Sequence, residues 1–178
     1  GALERMMPHH IHPSSADYLL FDDLVHAPQA PAEHARMREV LGCVAEVHLL
    51  EDLLTEVLQT DARSAVIEDV AQLSRLTDRD ANILDGLSPE ALAQTLIVGT
   101  VGGKLDAKEL MAPVPNLIFT RDLAARAGEL LIVGNARKEA RRRESAITWA
   151  VADHHPIFEG VSTAEISREV RGGSYPLT

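Results

Sequence analysis

The sequence is poor in everything that marks secreted, membrane-spanning or nucleic-acid-binding chains. It has one cysteine, Cys43, in 178 residues. A single thiol cannot close an internal disulfide, which fits a reducing compartment, so the cytoplasm is the expected location. Aromatic residues make up 3% of the chain, so a core must come from Leu, Val, Ile and Ala. No apolar run reaches the ~18 residues that a spanning helix requires. The opening Gly-Ala-Leu-Glu-Arg-Met-Met-Pro has no apolar stretch of the secretory type. Positive charge is also short. The net charge of -10 argues against a nucleic-acid partner, which needs a basic footprint. The one dense basic patch lies at 137–143.

What remains is an ordinary globular composition, 46% apolar and 25% charged, long enough for one domain with an insertion. Residues 1–17 read as a surface loop. The cluster His9, His10, His12 lies among Pro and Ser with no second ligand group spaced for a closed site, so no metal is expected. Residues 18–25 have the length and apolar character of a strand that ends on Asp22 and Asp23. A helix follows over 32–41, stopped by Gly42 in the left-handed position. Val44 to Leu50 reads as a second strand. Leu50, Leu53, Leu54, Val57 and Leu58 form one face of a helix. Strand, helix, strand, helix indicates an α/β unit over 1–59. Cys43, beside an apolar stretch with no activating base near it in sequence, reads as a buried small residue.

From 60 to 111 the period is helical throughout, and the stretch reads as an all-α insertion. Thr77 to Asp80 has the spacing of a capping box with Asp in the last place. Ser88-Pro89-Glu90 is a helix start: cap, proline, acid. The glycines at 99, 102 and 103 lack the spacing of a phosphate loop and read as a connector. A second α/β unit covers 112–178. It contains a strand at 114–120, a turn at Gly128-Glu129 with a further strand to Val133, and a helix over 136–152 capped by Asn135. His155-Pro156 ends that helix, and 164–170 holds a short last element.

Two features carry chemistry. In Pro115-Asn116-Leu117-Ile118-Phe119-Thr120-Arg121-Asp122, an aspartate sits in apolar surroundings that raise the cost of its charge. Either Arg121 or Arg126 neutralises it, or Asp122 accepts a guanidinium, for which a carboxylate offers two parallel acceptors. Further on, Arg137, Lys138, Arg141, nineteen residues after Asp122, Arg142 and Arg143 crowd the N-terminal half of a helix, where the dipole disfavours cations. Need for an anion-binding guanidinium explains this better than a solvated face. Glu144 can orient one of these arginines. Asn116 offers donor and acceptor to a polar substrate end, and Phe119 a wall. His154 and His155 read mainly as a helix end. A molecule cationic at one end and anionic at the other, such as free arginine, fits between Asp122 and the basic patch.

These residues resemble arginine deiminase, of the guanidino-group-modifying superfamily. Four segments match in order: Leu-Leu-Phe-Asp-Asp at 19–23, Leu-Leu-Glu-Asp-Leu-Leu at 49–54, the 115–122 stretch, which is the most specific, and Ala-Arg-Arg-Arg-Glu at 140–144 followed by His155-Pro156. The resemblance covers essentially this whole chain and the N-terminal part of a typical family member. It implies a partial α/β-propeller, pentein-like: one module over 1–59, a helical insertion over 60–111, and a second module over 112–178. It also implies that Asp122 is one of two aspartates gripping the substrate guanidinium and the catalytic residue among those matched. Asn116 and Arg141 would hold the amino-acid end, with Phe119 as pocket wall and Leu20 as a weaker contact. The loop at 9–17 is longer than in many family members.

The resemblance implies thiolate attack on the guanidinium carbon, loss of ammonia, and hydrolysis to citrulline, with no cofactor. The nucleophilic Cys and the general-base His belong to segments not matched here, so this chain alone is expected to be inactive. An amidinotransferase or another guanidine hydrolase is the related alternative. A non-catalytic arginine-binding or assembly module is the third. The expected partner is L-arginine, with no nucleic acid and no membrane. The open module faces of such a piece invite a homo-oligomer.

Overall fold

The computed structural model describes residues 29–165, apart from Leu105 and Arg137. The expected strand at 18–25 with Leu20, the histidine loop at 9–17 and the stretch 166–178 lie outside the described residues. The first described helix, α1 (Ala30–Gly42), starts on Pro31 and buries no residue. Gly42 is its last residue and is not left-handed. The chain runs on through a turn in which Cys43 and Val44 donate to the Val40 and Leu41 carbonyls. The expected strand at 44–50 does not form: Val44 is 84% exposed, and Leu50 opens the next helix. Two acids explain the switch. Glu51 and Asp52 occupy a first helical turn, where the dipole favours negative charge.

Four helices then build an apolar block. Helix α2 (Leu50–Val57) buries Leu54 and Val57. Helix α3 (Arg63–Ser74) buries Val66, Ile67 and Val70. Helix α4 (Asp78–Asp85) is capped by Thr77, whose hydroxyl oxygen accepts from the Asp80 amide and whose O–H donates to the Asp80 carboxylate. The other end of α4 is closed from a distance. Arg63 donates to the carbonyls of Leu84, Asp85 and Leu87, satisfying groups that a helix C-terminus leaves unpaired. Helix α5 (Pro89–Val98) is capped by Ser88 as its sequence indicates and is buried from Leu92 to Val98, save Gln94.

Gly99 ends α5 at φ 90°, and a Cβ there would lie 2.1 Å from the Met111 carbonyl oxygen, so only glycine fits. The chain then turns through Gly102 and Gly103, both left-handed, and comes back along α5. The amides of this turn are already used. Gly102 donates to the Thr95 hydroxyl and Gly103 to the Thr100 carbonyl.

The expected strand at 114–120 is instead a 3-10 turn, Pro115–Ile118, followed by a single helical turn, Thr120–Leu123. Proline explains this, since it has no N–H for a ladder and its fixed φ suits a turn. Strands β1 (Ala124–Ala127) and β2 (Leu130–Val133) form a hairpin around Gly128-Glu129. Helix α6 (Glu139–His154) follows, and β3 (Ser162–Glu165) returns parallel to β2. Lys138, not Asn135, takes the N-cap position of α6, with no side-chain cap bond. The helix does end before His155-Pro156. The ring Nδ1 of His155 accepts from the Ile157 amide, and Nε2 lies 2.9 Å from Glu56 on α2.

The architecture is mixed α/β, a helical block beside a small sheet ordered β1-β2-β3. An apolar cluster joins the helical block to the 3-10 turn and to α6, running from Leu54 on α2 through Leu96 on α5 and Leu117 in the 3-10 turn to Ile147 and Val151 on α6. Helix α6 packs on α2 and α3 with its C-terminal half and faces the 115–123 segment with its N-terminal half.

Candidate functional site

The three-residue spacing of Asn116, Phe119 and Asp122 has a backbone cause. The Phe119 amide donates to the Asn116 carbonyl, and the Asp122 amide donates to the Phe119 carbonyl, each at 3.0 Å. The first bond closes the 3-10 turn Pro115–Ile118 and the second opens the helical turn Thr120–Leu123, with Phe119 out of helical geometry between them. Asn116 is buried at 4% exposure, anchored between Pro115 and Leu117 in the apolar cluster. Phe119 is 48% exposed, and the Asp122 side chain is 52% exposed. The segment therefore emerges from the core, with an amide at its base and a carboxylate at its rim.

Arg141 meets this rim from the first turns of α6. One terminal nitrogen lies 3.3 Å from Oδ2 of Asp122, and Nε–H donates to Oε2 of Glu144 at 2.8 Å. Of the two local arginines that might neutralise Asp122, Arg126 donates instead to the Gly128 carbonyl. Among the described side chains, Asp122 pairs with the arginine nineteen residues on.

Glu144 is the most buried charge in the cluster, its side chain 1% exposed. Burial pushes its carboxyl above the usual glutamate value. Arg141, the Asn116 side chain and Arg143 pull it back part of the way. Burial acts on Arg141 in the opposite sense, disfavouring its charge, but the Glu144 and Asp122 carboxylates outweigh this and hold its proton more tightly than in water.

The three consecutive arginines diverge. Arg141 serves the two carboxylates. Arg143, 7% exposed, turns the other way and donates to the Ala112 carbonyl and the Ser74 hydroxyl. It thereby fastens α6 to the end of α3 and to the segment leading into Asn116. Arg142 is exposed, beside a shallow cavity of about 120 Å³ that it shares with Ser74, Arg75, Glu139 and Arg143. Two of the three arginines in the N-terminal half of α6 are thus held by separate contacts, and the third faces the surface.

Among the predicted site residues, the structure brings together Asn116, Asp122 and Arg141, leaves Phe119 half exposed on the same segment, and does not describe Leu20. Cys43 is exposed, not buried as expected, because the strand that was to enclose it is a surface turn. His154 is near Asp153 at the surface, and His155 serves α2. Among the described residues no group of His, Cys, Asp and Glu could hold a metal ion. Sequence reasoning missed the fastening role of Arg143 and how deeply Glu144 is buried. The second had a signal: Glu144, Ile147 and Val151 fall at i, i+3 and i+7, the buried stripe of the helix.

The family model described as arginine deiminase matches residues 100–173, which include the whole cluster. The chain is 34% identical to the arginine deiminase of Mycobacterium avium (strain 104) over 94% of its own length and 48% of that protein's. It is 32% identical to the arginine deiminase of Mycobacterium marinum over 93% of its length, and 34% identical to that of Rhodococcus erythropolis over 93%. The chain spans about half the length of the curated relatives it matches. The resemblance drawn from the four sequence segments therefore extends over nearly the whole chain.

Proposed function

We propose that this chain, similar to arginine deiminases over nearly all its length, supplies the substrate-binding half of such an enzyme, which converts L-arginine and water to L-citrulline and ammonia. The observation that carries the proposal is the Asp122–Arg141–Glu144 cluster beside Asn116, in the segment matched by the family model. Asp122 accepts the substrate guanidinium, with two oxygens facing two N–H groups. Asn116 and Arg141 hold the amino and carboxylate end, and Phe119 closes the wall between. Leu20 is a weaker contact.

The same reading assigns the β2–α6–β3 unit to a propeller module and residues 60–111 to an insertion between modules. It places the thiolate and the general base on segments outside this chain, so the chain alone turns over no arginine. The reaction then proceeds by attack of the thiolate on the guanidinium carbon. The C–N bond breaks with protonation of the departing nitrogen to ammonia, and water then displaces the thiolate to leave citrulline. The residues of this chain bind and orient. They align the carbon with its attacker and keep the guanidinium charged until attack. No helix of the described residues is long and apolar enough to cross a membrane, and the reading takes the protein as cytoplasmic.

The test is ammonia and citrulline release from L-arginine by the protein at its full natural length. Asp122→Ala is expected to lower turnover by about a hundredfold or more, the scale of losing a charge-positioning contact. Near-normal turnover in that variant removes Asp122 from the site. An amidinotransferase would pass the amidino group to an amine and release no ammonia.

A further inference from the structure

We propose that Glu144 is a positioning residue, holding Arg141 in place while a substrate guanidinium takes Asp122 away from it. This rests on the L-arginine reading above and extends it to a carboxylate that does not itself touch substrate. Arg141 uses two edges of its guanidinium. Nε–H points inward, 2.8 Å from a Glu144 oxygen that is shut off from solvent. A terminal nitrogen points outward, 3.3 Å from Asp122, whose side chain is half exposed.

The two contacts differ in kind. The inner one is short, shielded and made to a residue one turn along the same rigid helix. The outer one is longer, reaches another segment and is screened by water and salt. A substrate guanidinium has the same charge and donor pattern as the head of Arg141, so the two compete for the same carboxylate. In that competition the outer contact yields and the inner one stays. Arg141 remains hinged at Nε, and its terminal nitrogens are released for the carboxylate at the other end of the amino acid. Asn116, the second residue assigned to that end, also acts on Glu144. Without Glu144, an arginine released from Asp122 would have no fixed direction.

The test follows the side-chain Nε–H signal of Arg141 by 15N NMR, identified by its loss in Arg141→Lys. In the full-length protein without ligand, Glu144→Gln is expected to speed hydrogen exchange at Nε by roughly ten- to a hundredfold, the worth of a hydrogen bond to a charged group. If that variant does not fold, Glu144→Asp, which draws the acceptor back by one methylene, takes its place. Unchanged exchange overturns the anchor. In the full-length protein, added L-arginine is expected to move the terminal-nitrogen signals while Nε–H stays protected. Loss of Nε–H protection with substrate overturns the proposal. If L-arginine perturbs nothing in 116–122, the L-arginine reading fails, while the free-state comparison still decides the anchor. A role confined to folding would lower stability without changing KM. The proposal expects KM for L-arginine to rise in Glu144→Gln, with kcat less affected.

Discussion

The two halves of α6 follow opposite rules. From Ile147 to Ala152 the helix buries only apolar side chains against α2 and α3. From Arg141 to Ser145 it buries Arg143, Glu144 and Ser145, all polar. The apolar half is stabilised by removing surface from water, which tolerates variation in detail. The polar half depends on specific pairings, such as Arg141 with Glu144 and Arg143 with Ala112, since breaking a buried charge pair is costly. A single helix thus joins a part that holds the molecule together to a part that fixes directions. The first can be altered without moving the site, and the second cannot.

Three substitutions or conditions can break that contrast. The largest expected effect is on the apolar half. Ile147→Ala, at a fully buried position, should cost about 2–5 kcal/mol of unfolding free energy. Chemical denaturation measures this, and the Arg141 Nε–H signal should not move. If it moves, the halves are not separate. Next is the polar half. Arg143→Ala removes the donors to Ser74 and Ala112 and should cost about 1–3 kcal/mol. Unlike Ile147→Ala, it should also loosen the segment that leads to Asn116, read as faster amide exchange at Val114, Asn116 and Leu117.

The smallest effect is the pH response of Glu144. Its folded-state pKa is raised, so the folded state binds this proton more tightly than the unfolded one. The stability that proton contributes is fully present below the ordinary glutamate value and is lost as pH rises through the raised one. The stability difference between the natural protein and Glu144→Gln should therefore shift against the natural protein as pH climbs through that window. A shift in its favour would mean the Arg141 pairing outweighs burial.

The same contrast explains what could be read from the sequence. The apolar half and the helical block were legible because burial repeats at helical spacing, as in Leu54, Val57 and Leu58, and because Thr77 and Ser88 carry their caps beside them. The turn at Gly128-Glu129 and the strand after it were legible from the glycine and the apolar run, while the strand before it, Ala124–Ala127, was not. The strands expected at 44–50 and 114–120 were not there. Apolar runs of strand length do not say whether a neighbouring strand exists, and Glu51 and Pro115 decided locally for helix and turn. At the site, Asn116, Asp122 and Arg141 stood out as residues at odds with their surroundings, and the structure brings them together. That Arg141 lies on Asp122, and that Arg142 and Arg143 turn elsewhere, depends on how α6 meets the 3-10 turn, which no spacing records.

The central claim is that Asp122 and Arg141 grip opposite ends of L-arginine. Agmatine, which has the guanidinium but no carboxylate, separates the two grips. Affinities of the full-length protein for L-arginine and agmatine, measured for the natural protein and for Arg141→Ala, test the claim most directly. Arg141→Ala should weaken L-arginine by about tenfold or more while agmatine binds as tightly or more tightly, since Arg141 no longer competes with its guanidinium for Asp122. An equal loss for both ligands, or a loss for neither, would contradict it.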